Sequence, residues 1–124
     1  MKITRLTALG LAAIALACAG SFGPGDVLSG SWANTASHGY GLQLSASAAG
    51  ADFSTSCTSA HFLPLHLNDS LAFHARGVYT RATGAVSVRL GDSTSITGRV
   101  LGERVIVGGD TLAPGSMGFR VCNA

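Results

Sequence analysis

The chain reads as all-β, a small antiparallel up-and-down meander barrel of about eight strands behind an export signal. Two observations predict this. From Gly30 onward apolar residues recur at spacing two, as in Leu42-Gln43-Leu44 and Val86-Ser87-Val88, and helical spacing is nowhere sustained. Gly, Asn, Asp and Ser interrupt these runs roughly every eight to ten residues, the rhythm of successive hairpins.

The first element is not part of the fold. Lys2 and Arg5 precede an uncharged apolar run over residues 6–17, too short to cross a bilayer as a mature helix. Residues 1–17 are therefore expected to be a signal peptide, with small Ala15 and Ala17 presented to a signal peptidase. Two cuts are open. One falls before Cys18, because Ile14-Ala15-Leu16-Ala17-Cys18 resembles a bacterial lipobox with Ala15 where Leu is usual. The other falls a residue or two later, as in an ordinary secreted protein. The expectation is a lipoprotein acylated on Cys18, in the outer membrane or periplasm, with secretion as the alternative. Residues 18–30, rich in Gly and Ser, are expected to form a flexible tether, and residues 31–124 the barrel domain.

Strands are expected near 31–34, 40–46, 51–57, 60–67, 71–80, 85–90, 94–101, 104–109 and 117–122. Turn residues at Ala49-Gly50, Asn68-Asp69, Gly91-Asp92 and Leu101-Gly102-Glu103 separate them. So many short strands most easily remove their unpaired edges by closing. Alternation points Leu42, Leu44, Phe53, Leu65, Leu67, Leu71, Phe73 and Tyr79 inward, then Val86, Val88, Leu90, Ile96, Val100, Ile106, Phe119 and Val121. A barrel of strands this short is expected to be filled, with Phe53, Phe73 and Phe119 as plugs.

Of three cysteines, Cys57 and Cys122 lie in the body and are expected to pair, which leaves Cys18 for the lipid or for loss with the signal. An exported context favours oxidation. Without Lys2 and Arg5, the mature chain carries Arg76, Arg81, Arg89, Arg99, Arg104 and Arg120 against Asp26, Asp52, Asp69, Asp92, Glu103 and Asp110. That neutral balance excludes an electrostatic footprint for nucleic acid. A mature chain without Lys also excludes Schiff-base or lysine general-base chemistry.

Gly30-Ser31-Trp32 and Arg120 resemble the calycin (lipocalin-like) pattern, in which a first-strand Trp packs beneath a late Arg and closes the barrel. A closer resemblance is to an uncharacterised family of small exported bacterial β-barrel domains. It is carried by Trp32, Gly41-Leu42, Phe53 to Cys57, Pro64-Leu65-His66-Leu67, Phe73 to Tyr79, Ile96 to Val100 and Val121-Cys122. It implies fold and export, and no activity. Ala75-Arg76-Gly77-Val78-Tyr79 also resembles the inhibitory strand of small periplasmic lysozyme-inhibitor lipoproteins, with Arg76 where that family has Ser.

His66 and His74 flank the Asn68-Asp69 turn and are the weak candidates for a metal site. With His61 offset and His38 in a distant loop, the ligands fall short of the three or four a zinc site needs, so no metal or other cofactor is expected. No G-x-S-x-G elbow, no carboxylate pair in a shared apolar setting and no phosphate loop occurs, so no enzyme is expected. The Asn68-Asp69-Ser70 sequon reads more simply as a turn. The expected function is a non-enzymatic binding or structural module that meets a protein partner through its loops. The alternatives are a carrier of a small apolar ligand and an inhibitor of an extracellular hydrolase such as lysozyme.

Overall fold

The structure is a computed structural model that describes residues 22–35, 41–84, 86–116 and 122. Eight antiparallel strands follow one another: β1 (Gly30–Thr35), β2 (Gly41–Ser47), β3 (Gly50–Thr55), β4 (Thr58–Phe62), β5 (Ala72–Ala82), β6 (Ser93–Leu101), β7 (Arg104–Val107) and β8 (Asp110–Pro114). Each pairs with the next, and β8 returns to β1 through Trp32 opposite Pro114 and Ala33 opposite Ala113, which closes the up-and-down barrel. The expected fold class is the one observed. Residues 1–17, expected to be a signal peptide, and Cys18 lie outside the described residues.

Turn chemistry sets the register. Gly102-Glu103 joins β6 to β7 and Gly108-Gly109 joins β7 to β8, with Gly102 and Gly108 at φ of 62° and 63°, a region that two-residue hairpins favour and only glycine enters without strain. The first of these turns places Val100 opposite Val105. Val105 and Val107 therefore face the core and Ile106 faces out, opposite to the expectation for Ile106. Val105-Ile106-Val107 is apolar throughout, so alternation alone gives no parity there.

The residues expected to form a strand at 85–90 do not form one. Asp92 O accepts from Tyr79 N at 3.0 Å, and Gly91 N donates to Tyr79 O at 2.8 Å, so the start of β6 already occupies the edge of β5. Val86 and Val88 are left in a connecting loop that exposes Leu90. Strand 104–109 is shorter than expected because the second glycine turn interrupts it. The closing strand is β8, whereas residues 117–121, Phe119, Arg120 and Val121 among them, lie outside the described residues. β4 ends at Phe62, short of the expected 67. Pro64 has no N–H to donate, and beyond it His66 makes an isolated bridge to Val27.

That bridge belongs to a segment read above as tether. Residues 22–29 dock across one end of the barrel, through Gly25 N to Leu67 O, Leu67 N to Asp26 O and Leu28 N to Leu65 O. Leu28 and Leu65 are completely buried. Spacing two does not describe a Gly-Pro-Gly segment, so its single anchoring leucine gave no periodic signal.

Trp32 completes this plugged end. Its indole crosses Gly30, its Nε1 donates to Glu103 O at 3.0 Å, and Phe22 packs against it at 6.3 Å between ring centroids. The indole thus ties β1 to the β6–β7 turn across the barrel. Trp32→Phe, which keeps the ring and deletes the donor, is expected to cost about 1 kcal/mol in urea unfolding.

Farther along the wall, two phenylalanine rings lie over facing glycines: Phe62 pairs with Gly77 and Phe73 with Gly98. A narrow barrel accommodates an interior ring where the strand opposite has no side chain. Ala46, Ala51, Ala60 and Ala75 meet the same constraint with small buried methyls.

Candidate functional site: the open end of the barrel

Among the described residues the other end is not filled. A cavity of about 380 Å³ enters the barrel there. Its inner wall is Ala60, Phe62, Ile96 and Val107, with Phe53 and Tyr79 at the sides. Thr55, Thr58, Thr94 and Gly108 stand nearer the strand ends. The phenylalanines expected as plugs divide accordingly: Phe73 is buried, Phe53 is a partly buried wall of the cavity, and Phe119 lies outside the described residues. Among the described residues the interior is filled at one end and leaves a cavity at the other.

Strand parity explains the lining apart from Ser95 and Thr97, which border the cavity from the outward parity of β6. On β3, Phe53 and Thr55 share the face of buried Ala51, and on β4, Thr58 and Ala60 share that of Phe62. On β6, Thr94 shares the face of Ile96. The inward rows thus change from aliphatic and aromatic to hydroxyl as they approach this end. No charged side chain of the described residues lines the cavity.

The β3–β4 turn is the most heavily braced part of the rim. Thr55 Oγ1 accepts from Cys57 N at 3.2 Å and from Thr58 N at 3.0 Å, and lies 3.0 Å from Thr58 Oγ1. Arg81 folds over the turn, donating from Nη2 to the carbonyls of Thr55 at 2.6 Å and Thr58 at 3.2 Å, and from Nη1 to that of Ser56 at 3.3 Å. Its Nε reaches Ser59 Oγ at 3.1 Å. Thr80 is skipped where Ser59 pairs with Arg81 and Ala60 with Tyr79, a β-bulge that sets Arg81 beside Ser59 while Tyr79 stays inside. Sequence reading placed Tyr79 inward but gave Arg81 no role. An unpredictable bulge decides its side.

Cys57 and Cys122 form the expected disulfide at the same turn, with Cα atoms 4.8 Å apart, and Cys122 N donates to Ser56 O at 2.7 Å. The chain is thus fastened beside the cavity rim. Arg81→Ala removes the brace and leaves the disulfide. It is expected to lower stability by about 1 to 3 kcal/mol in urea unfolding, the range for hydrogen bonds from a charged donor.

The histidine candidates do not converge. His66 is exposed and bridges Val27 through its backbone, while His74 is exposed on the outer face of β5 with Nδ1 2.7 Å from Thr97 Oγ1. In the turn between them Asn68 N donates to Ala72 O, and Leu71 at φ 58° completes it. Asn68 Oδ1 accepts from Ser70 N and Ala72 N, so this asparagine is engaged as a turn residue. His61 pairs with Asp52 at 2.8 Å on the outer wall. Among the described residues no group of three or more His, Cys, Asp or Glu side chains is placed to hold a metal ion. Arg76, in the segment that resembles an inhibitory strand, is exposed and borders a shallow outer groove with His74 and Ser95.

Fold and cavity together define a small closed meander barrel, compatible with a calycin-like barrel, plugged at one end and, among the described residues, open to a cavity at the other. Set against known protein families, curated proteins and solved structures, the chain matches none of them.

Proposed function

We propose that the protein is an exported, non-enzymatic binding module that holds a small, largely apolar molecule in the hollow end of its barrel. The cavity carries this reading: about 380 Å³, walled by Phe53, Phe62, Tyr79, Ile96 and Val107, it has the size and lining of a small-molecule site. The plugged end and the disulfide beside the rim give it a rigid frame, which limits the ordering cost of binding. Lys2, Arg5 and the apolar run that follows support export, and a Cys57–Cys122 disulfide suits an oxidising compartment. In this reading Cys18 carries a lipid that holds the module at the membrane, and family kinship lies with small exported calycin-like domains.

The test is fluorescence titration with N-phenyl-1-naphthylamine, a neutral apolar probe. The protein is expected to enhance its emission saturably, and Ile96→Trp, which fills the cavity, to weaken binding at least tenfold. Leu28→Ala, at the plugged end, is expected to leave the affinity within about twofold. No saturable enhancement, or undiminished binding by a folded Ile96→Trp variant, would contradict the reading. For the anchor, Cys18→Ser is expected to move the protein out of the membrane fraction, and unchanged fractionation would count against acylation.

A further inference from the structure

Resting on that cavity reading, we infer that the ligand is an uncharged amphiphile bound tail first, its polar head held by hydroxyl groups of Thr58, Tyr79 and Thr94. Along the inward face the lining is graded. Phe62, Ile96 and Val107 offer a tail apolar surface, and Thr58 and Thr94 lie on that face toward the strand ends, while Ser95 and Thr97, exposed and of the opposite parity, also border the cavity.

The hydroxyls differ in what they have left to offer. Thr55 Oγ1 is taken up within its own turn, by Cys57 N, Thr58 N and the Thr58 side chain. Thr58 Oγ1 has Thr55 Oγ1 as its one partner among the described residues, so a lone pair remains for a ligand whichever of the two donates, and its hydrogen as well when Thr55 donates. The Tyr79 and Thr94 side chains make no hydrogen bond to another described residue, and neither residue is fully buried. Three groups that both donate and accept suit an alcohol or amide head, which does the same.

A charged head finds no counter-charge among the described residues of this wall. Arg81 is directed to Ser59 and to the carbonyls of Thr55, Ser56 and Thr58, on the outer side of the rim. Asp92 accepts from Arg89 N within its own loop, and Asp110, opposite Val107 at this end, is exposed and outside the lining. An ionised carboxylate or ammonium would therefore give up water for neutral hydroxyls alone, which is costly in a partly apolar site.

Displacement of N-phenyl-1-naphthylamine by octan-1-ol, octanoate and octylammonium at neutral pH tests this. Octan-1-ol is expected to displace the probe, and both ions to bind at least tenfold more weakly. The double variant Thr58→Val, Thr94→Val, isosteric and without hydroxyls, is expected to lose at least threefold in octan-1-ol affinity, whereas Leu28→Ala, outside the cavity, is expected to leave that affinity within about twofold. Octanoate binding as tightly as the alcohol would overturn the inference, as would equal octylammonium binding, which would point to Asp110 as a partner. An octan-1-ol affinity unchanged in the double variant would also overturn it. If the wild-type protein binds no probe at all, the cavity reading itself fails and takes the inference with it.

Discussion

Replacing Cys57 and Cys122 together by serine is expected to lower the unfolding free energy by about 4 kcal/mol. The bridge spans 65 residues, more than half of the chain, and in the chain-entropy account a cross-link stabilises by restricting the unfolded ensemble in proportion to the logarithm of that span. Small domains are commonly stable by only about 5 to 15 kcal/mol, so the loss is a large fraction of the whole. A melting temperature lower by on the order of 20 °C follows for a domain of this size. The bridge also lies where the barrel is hollow, at the turn between Thr55 and Thr58, so apolar packing does less there to compensate. Urea denaturation of the double serine variant measures the effect. A change below about 1 kcal/mol would show that the unfolded chain gains little freedom when the bridge is removed.

Adding a single methyl group at Gly98 is the second large effect. A Cβ at this position would overlap the carbonyl oxygen of Ile106 and come within 2.6 Å of Phe73 Cζ. The ring can move only into a core already holding Ala75, Ile96 and Val100, and the carbonyl is fixed by the pairing of β6 with β7. Gly98→Ala is therefore expected to cost about 3 kcal/mol, the upper end of ordinary overpacking. Because the clash has two parts, Phe73→Leu in the same chain should recover some of the loss, whereas alone it should destabilise. That change of sign in a double-mutant cycle is the diagnostic result. A Gly98→Ala variant as stable as the wild type would mean that β6 and β7 separate freely, contrary to a closed, close-packed wall.

These two predictions also mark what the sequence could and could not disclose. Strand number, antiparallel order and closure were legible because alternation and turn residues act over neighbouring positions. The cysteine pair was legible by counting. Gly98, by contrast, looked like an ordinary interruption of a strand, and its role depends on Phe73 far away in the chain. Trp32 was expected to pack beneath Arg120, which lies outside the described residues; the described partner of its indole is the Glu103 carbonyl, and backbone atoms carry no sequence signature. The docked segment around Leu28 looked like linker because one buried leucine among glycines has no period.

The cavity was partly visible. Thr55 and Thr94 share the parity of Phe53 and Ile96, which alternation points inward, whereas Thr58 fell between two expected strands and inward Leu65 and Leu67 gave Ala60 the opposite parity, which the break at Pro64 resets. Their gathering at one end depends on the register of β5 against β4, which the bulge at Thr80 shifts. The charge balance hid a comparable detail: Arg81, one of six arginines in a neutral sum, is bound to three backbone carbonyls at the rim.

The most direct measurement of the central claim is the set of nuclear Overhauser contacts between bound octan-1-ol and the methyl groups of the protein. A barrel plugged at one end and hollow at the other predicts contacts from the ligand tail to Ile96 and Val107, and none to Leu28, Leu65 or Leu112. Tail contacts with those three leucines, or contacts confined to exposed methyls such as those of Leu63 and Leu101, would contradict it.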